Sequence, residues 1–563
     1  MAVPEQNALT PAAAAEAALR LARALGPAPD WPARASFASC AARAQFVADD
    51  SFVRAALTAA LSEAWTNPQE LFAPALSLIR IDGRIAGCVR RANEWWPARP
   101  SRAVLYGADG LAALEADGLL QALLAAAPVS SLRLERFLSC ARHALLELAS
   151  GAEAPDPADA GALGFHAALA RQCFTNEFVY DCPEEERLAA ARCRSRLLAL
   201  LDSGEAVPPL LMLAAAAYSP LHLLPGAGRL LAAPQPAPID EVLRQQIREP
   251  LEERASRADI ERLTPITDTV SRIVREQYEE NPYPRWEKIP VHGEPAPFNA
   301  QLQRLLPFAR FAPLPDEREP QVLVAGCGTG RDAIFVARQF CGARVLAIDL
   351  SLGSISYAKR KTAQLAVTNI EYAQADILRL GECARTFDVI GAIGVLHHLA
   401  DPFAGWRTLL TRLRPGGFMC LGLYSRIARR SVLRAREFIA AQGFTSTAEG
   451  IRRFRQDVVG AETSAEVRSL TRSLGFYSMS ECRDLAFNVQ ERQLTLGEIE
   501  AFLGELRLRL LGFELDAGVL DQYRARFADD PRCTSLRNWA LFEADNPDTF
   551  TAMYKFWVQR EQG

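Results

Sequence analysis

Between Val322 and Gly330 the apolar run VLVAGCGTG breaks into three glycines at alternate positions, and no other stretch constrains the fold as tightly. Its opening residues predict a buried strand, apolar on both faces as in a parallel sheet. Gly326, Gly328 and Gly330 predict a tight turn out of that strand. Glycine lacks a β-carbon, so its backbone can take left-handed dihedrals and lie directly against a ligand. RDAIFVARQF follows with helical apolar spacing, and RVLAIDL is a second apolar run with Asp349 at its end. Strand, glycine turn, helix and a strand closing on a carboxylate form a βαβ nucleotide site, the acid being placed for ribose hydroxyls. A dinucleotide loop would need a third glycine where Arg331 stands; the spacing here is G-x-G-x-G.

Further apolar runs follow in order. IEYAQADIL (370–378) reads as a third strand ending at Asp376, TFDVIGAIGVLHHL (386–399) as a fourth, and LRPGGFMCLGLYS (413–425) as a turn into a fifth. This ordered set resembles class I S-adenosylmethionine-dependent methyltransferases of the small-molecule, ubiquinone/menaquinone methyltransferase-like branch. The resemblance implies S-adenosyl-L-methionine as cofactor and a Rossmann-like seven-stranded α/β sheet. It also implies a cofactor site built from Gly326, Gly328, Gly330, Asp349, Leu350, Asp376 and Ile377. One departure stands out: the family's acid two residues before the first glycine is Val324 here.

A chain of 563 residues exceeds one compact core, so two or three domains are expected. The formal net charge of −4 gives no electrostatic basis for sequence-independent nucleic-acid binding. Twelve scattered cysteines, without a C-x-x-C pair, allow disulfides by their even count, but a nucleotide-dependent enzyme of this size is expected to be cytoplasmic and reduced, and the few histidines point to no metal site. The N-terminus reads as a capped Ala-rich helix, not a signal peptide. LLMLAAAAY (210–218) suits a buried helix, and no run reaches membrane-spanning length.

Residues 1–231 are rich in Ala and Leu at helical spacing, which predicts an all-α domain, with a degenerate tetratricopeptide-like array as one form it could take. GAEAPDPADA (151–160) reads as a loop. Residues 232–255, opening on AAPQPAPID, read as a linker and connecting helix, with Asp240 as its cap. The methyltransferase-like core is expected over 256–425 and 495–563. A helical insertion, 426–494, leaves strand five on the side where ligands bind and is expected to cap the cleft. Near the start of the core, Val270, Ile273, Val274 and Tyr278 form one apolar helical stripe that the prolines of ENPYPRW (280–286) terminate.

Methyl transfer requires an aligned, desolvated nucleophile, and a base where the acceptor arrives protonated. His397 and His398 close strand four and are the candidate bases; the alternative is a strand-end turn. Tyr283, Arg285 and Trp286 could contact cofactor or acceptor, or form a rigid interdomain turn. YEENPYPRW resembles the N-P-P-Y motif of DNA-amino methyltransferases, but it precedes strand one, which excludes that reading. Several arginines in SRIARRSVLRAR (425–436) fit an anionic substrate or a solvated helix face. Within CRDLAFNVQERQLT, Asn488 is the candidate acceptor contact that the resemblance implies. The expected activity is methylation of a small-molecule oxygen, nitrogen or carbon. The alternatives are a protein methyltransferase recruiting its substrate through the helical domain and a non-catalytic adaptor.

Overall fold

In the computed structural model, which describes residues 10–150, 161–290, 294–316, 318–460 and 463–561, the Ala- and Leu-rich first part is helical throughout. Among the described residues no strand precedes Glu261; the loop expected at 151–160 lies outside them. Side-chain caps set several of the helix starts. Thr10 accepts the Ala13 amide ahead of Pro11–Ala24, and Asp50 caps Ser51–Glu63. Pro209–Ala216, which overlaps the run read as a buried helix, is buried along most of its length.

The segment from 232 onward is not a free linker. It forms the helix Ala237–Leu243, a π-helical turn Arg244–Arg248 and the helix Glu249–Ser256. Ile239, Val242, Leu243 and Ile247 bury into the helical core. Asp240 sits inside the first turn rather than at the cap, because Pro236 and Ala237 start the helix earlier.

The sheet has eight strands: β1 Glu261–Arg262, β2 Gln321–Ala325, β3 Arg344–Asp349, β4 Ile370–Gln374, β5 Phe387–Ile393, β6 Leu413–Tyr424, β7 Leu508–Phe513 and β8 Met553–Arg560. Their order is β1-β4-β3-β2-β5-β6-β8-β7. β8 is antiparallel to both its neighbours, and the pairs among β1 to β6 are parallel. The seven expected strands are all present. The eighth, β1, adds two residues to the outer edge, where the Leu263 amide bonds the Gln374 carbonyl. Alternate residues of the central strands feed two cores: Leu323, Leu346 and Ile390 face one layer, and Val322, Val345 and Val389 the other.

The insertion after β6 contains the helices Arg430–Gln442, Ala448–Val459 and Met479–Phe487. Its apolar faces do not close on the sheet. Ala435, Ile451, Phe454, Phe476 and Cys482 belong to the same core as the N-terminal helices. Arg455 ties the two parts together, pairing with Glu135 at 2.7 Å and bonding the Val179 carbonyl at 3.0 Å. The chain then returns to the sheet through Leu496–Leu506, opened by a capping box of Thr495 and Glu498.

Candidate functional site

The glycine turn leaves β2 with all three glycines at positive φ. A β-carbon at Gly326 would lie 2.4 Å from Val395, and one at Gly328 would lie 2.5 Å from the Tyr283 carbonyl. Both positions therefore exclude any side chain, the second because the Tyr283–Pro284 segment lies across the loop. Thr329 reinforces that contact by donating to the Pro284 carbonyl. Gly330 serves packing instead, since its β-carbon would meet Ala358 at 2.6 Å.

Asp349, at the end of β3, holds the loop from beneath. Its carboxylate accepts the Gly328 amide at 2.8 Å and the Ser351 amide at 2.9 Å. Burial raises its pKa, while these amide bonds pull the other way. Val324, standing where the family has its acid, is packed in the core at 5% exposure. Asp349 thus supplies a carboxylate beneath a loop that lacks that acid.

Asp376 follows β4 at the start of the short helix Ile377–Glu382, where one carboxylate oxygen accepts the Leu378 amide. The other oxygen, Oδ2, makes no close hydrogen bond in a residue only 1% exposed, although the Ser271 hydroxyl, itself buried without one, lies near enough to act on the carboxylate. A buried carboxylate oxygen without a close hydrogen bond is costly, and burial raises the Asp376 pKa accordingly.

Gly326, Gly328, Asp349, Leu350, Asp376 and Ile377 share the wall of one cavity of about 540 Å³ at the carboxyl edge of the sheet. Tyr278, Tyr283, His398 and Tyr424 line the same cavity. The two histidines part company here. His397 is fully buried, its ring stacked 3.6 Å from that of Tyr424, and burial holds its pKa well below the usual range. Arg429 stacks on Tyr424 at 3.8 Å and pairs with Glu491. His398 lines the cavity; its Nδ1 is 2.7 Å from the Gln490 carbonyl, and its Nε2 is 3.5 Å from the Tyr278 hydroxyl.

Tyr278 in turn donates to Asp484 at 2.6 Å. Asn488 bonds both the Tyr278 hydroxyl, at 3.1 Å, and Asp484, at 2.9 Å. Asn488 therefore stands behind the cavity wall. Arg285 and Trp286 are also turned away from it: Arg285 lies over the Phe174 ring, and Trp286 Nε1 bonds the Thr329 carbonyl. Close to Asp484, burial together with Glu177 and Asp484 pushes Glu481 up to about 7.

Thr66, Asn67 and Glu70 of the N-terminal helices complete another part of the cavity wall. Nothing in the sequence marks these three; Asn67 signals only a capped turn, Pro68–Leu71. Tyr278, which the sequence places in an apolar stripe, is anchored through its hydroxyl. All twelve cysteines are free, and among the described residues no helix is long and apolar enough to cross a membrane.

Residues 323–419 match a family model described as a methyltransferase domain. The chain is 31% identical over 178 residues to an uncharacterized protein of Synechococcus sp., covering 31% of this chain and 42% of that one. It is 39% identical over 121 residues to the ubiquinone biosynthesis O-methyltransferase of Methylocella silvestris, covering 22% and 46%. The chain thus spans less than half the length of these curated relatives. Among solved structures, PKMT2 from Rickettsia typhi aligns over 47% of this chain and 53% of its own, at 15% identity and a TM-score of 0.37.

Proposed function

We propose that this chain, which carries a class I S-adenosylmethionine-dependent methyltransferase domain, methylates a nucleophile of a small or medium-sized metabolite held in the 540 Å³ cavity. The observation that carries the reading is Oδ2 of Asp376, buried without a close hydrogen bond in the same cavity as the glycine turn and Asp349. An adenine amine is a donor that suits it beside the Ser271 hydroxyl, Leu350 and Ile377 offer apolar contact to the base, and Asp349 keeps lone pairs for ribose hydroxyls. S-adenosylmethionine, when bound, supplies a methyl group on a sulfonium whose sulfur leaves without needing a proton.

The residues of the chain then have three tasks. Gly326 and Gly328, whose side-chain space Val395 and the Tyr283 carbonyl fill, hold the loop in the shape that borders the cofactor's place in the cavity. His398 accepts a proton from an acceptor that arrives protonated, through the nitrogen facing the cavity. Tyr278, Tyr283 and Tyr424 exclude water, which would otherwise compete as nucleophile and solvate the acceptor. Residues 426–494 line no part of the cavity but brace its wall from behind, through Asp484 on Tyr278 and the Gln490 carbonyl on His398, and their shared core with the N-terminal helices, which supply Thr66, Asn67 and Glu70 to the cavity, supports a role for both in choosing the acceptor. The free cysteines favour a reducing, cytoplasmic setting.

The test is to incubate the full chain with methyl-labelled S-adenosylmethionine and a cell extract separated into small-molecule and protein fractions. Label in the small-molecule fraction is expected. Label in protein alone would replace the metabolite reading with the protein-substrate one.

A further inference from the structure

We infer that the acceptor is an amine, taken up as its ammonium ion and methylated on nitrogen; this rests on the methyl-transfer reading of the cavity. The hydrogens around His398 and Tyr278 can be counted. His398 Nδ1 faces a carbonyl oxygen at 2.7 Å, and a carbonyl can only accept, so Nδ1 carries the proton. In the neutral imidazole, Nε2 is then a bare lone pair. The nearest hydroxyl, that of Tyr278 at 3.5 Å, has already given its proton to Asp484. It accepts one hydrogen from Asn488, which leaves a lone pair of its own.

With the imidazole neutral, two acceptors thus lie 3.5 Å apart on side chains that both line the cavity, with no proton between them. A ligand atom that satisfies both must carry at least two hydrogens. A hydroxyl has one and a carbanion none; an ammonium has two or three. Charge points the same way. Asp484 is buried and accepts from a phenol and an amide, the Arg429 guanidinium that also acts on it being paired with Glu491, and Glu481, one turn earlier, is another acid whose pKa burial raises. A cationic ligand relieves the cost of that buried negative charge.

The step balances. The ammonium gives one proton to His398 Nε2 and keeps an N–H bond to Tyr278. Its freed lone pair forms the N–C bond as the C–S bond breaks with its electron pair going to sulfur. The product is a methylated ammonium beside a neutral thioether, and the histidine proton passes to solvent.

The amine could belong to a free alkylamine or to a lysine side chain. The experiment titrates n-butylamine, n-butanol and a lysine-containing peptide, by calorimetry, into the full wild-type chain saturated with S-adenosylhomocysteine. Either amine is expected to bind at least about tenfold more tightly than butanol, the difference expected of charge-assisted hydrogen bonds. Preference for butylamine identifies a small-molecule source, and preference for the peptide a protein source. Tyr278→Phe should erase the preference over butanol while changing S-adenosylhomocysteine affinity less than about twofold. Butanol binding as well as the amines, or an O-methylated butanol product, would overturn the inference and leave the cofactor reading intact. Failure of S-adenosylhomocysteine to bind would overturn both.

Discussion

Replacing Asp376 by Asn separates a cofactor contact from a structural role. Asn keeps the shape and an oxygen for the Leu378 amide, so the short helix retains its cap. It removes the negative charge from Oδ2, the buried oxygen that makes no close hydrogen bond. A hydrogen bond to a charged group contributes about 1.5–3 kcal/mol, so affinity for S-adenosylhomocysteine should fall about 10- to 150-fold. Stability should move differently. Burial raises the Asp376 pKa, so its ionised form is the costly one in the empty protein, and a neutral isostere removes that cost. The ligand-free melting temperature should hold steady or rise while affinity drops. Calorimetry and a ligand-free thermal melt on the same preparations provide both numbers. Unchanged affinity, or a fall in melting temperature accompanying the loss of binding, would refute the reasoning.

Asp349→Ala removes the acceptor of two backbone amides, so binding should weaken by about 1–3 kcal/mol and the melting temperature should also drop, read by the same two assays. Arg455→Ala leaves Glu135 buried and unpaired and should cost about 3–5 kcal/mol in chemical denaturation; a loss below about 1 kcal/mol would mean that the insertion and the N-terminal helices do not share a stabilising core. Glu481 has a folded pKa of about 7 against 4.5 for the ordinary group, so the folded state holds the proton more tightly. Its stability penalty therefore grows as pH rises from 4.5 to 7, and Glu481→Gln should gain about 1–3 kcal/mol above pH 7 and nothing below pH 4.5. A pH-independent difference in urea melts would contradict that assignment.

What the sequence reveals here follows the range of the forces involved. Apolar runs and alternate glycines act locally, so β2 to β6, the turn at Gly326 and the carboxylates at Asp349 and Asp376 are all legible from spacing. The helix Thr269–Glu280 is legible too, but not the use of its stripe: Val274 is buried, Ile273 is 46% exposed, and Tyr278 is fixed by a carboxylate more than two hundred residues away. His397 and His398 look equivalent in a string. The backbone turn after β5 sends one ring under Tyr424 and the other to the cavity. Least legible is the partnership between the insertion and the N-terminal helices. An amphipathic helix such as Ala448–Val459 announces that one face is covered, not by what. The three residues from Thr66 to Glu70 that reach the cavity have no local signature, because their place depends on that packing.

The central claim is that one cavity joins the cofactor loop to an acceptor chamber. It is tested most directly by a crystal structure of the full chain with S-adenosylhomocysteine. In that structure the adenine amine should lie about 3 Å from Asp376 Oδ2 and the ribose hydroxyls on Asp349. The thioether sulfur should face His398 and Tyr278 across the cavity. An adenine bound elsewhere, or a sulfur directed away from His398, would contradict it.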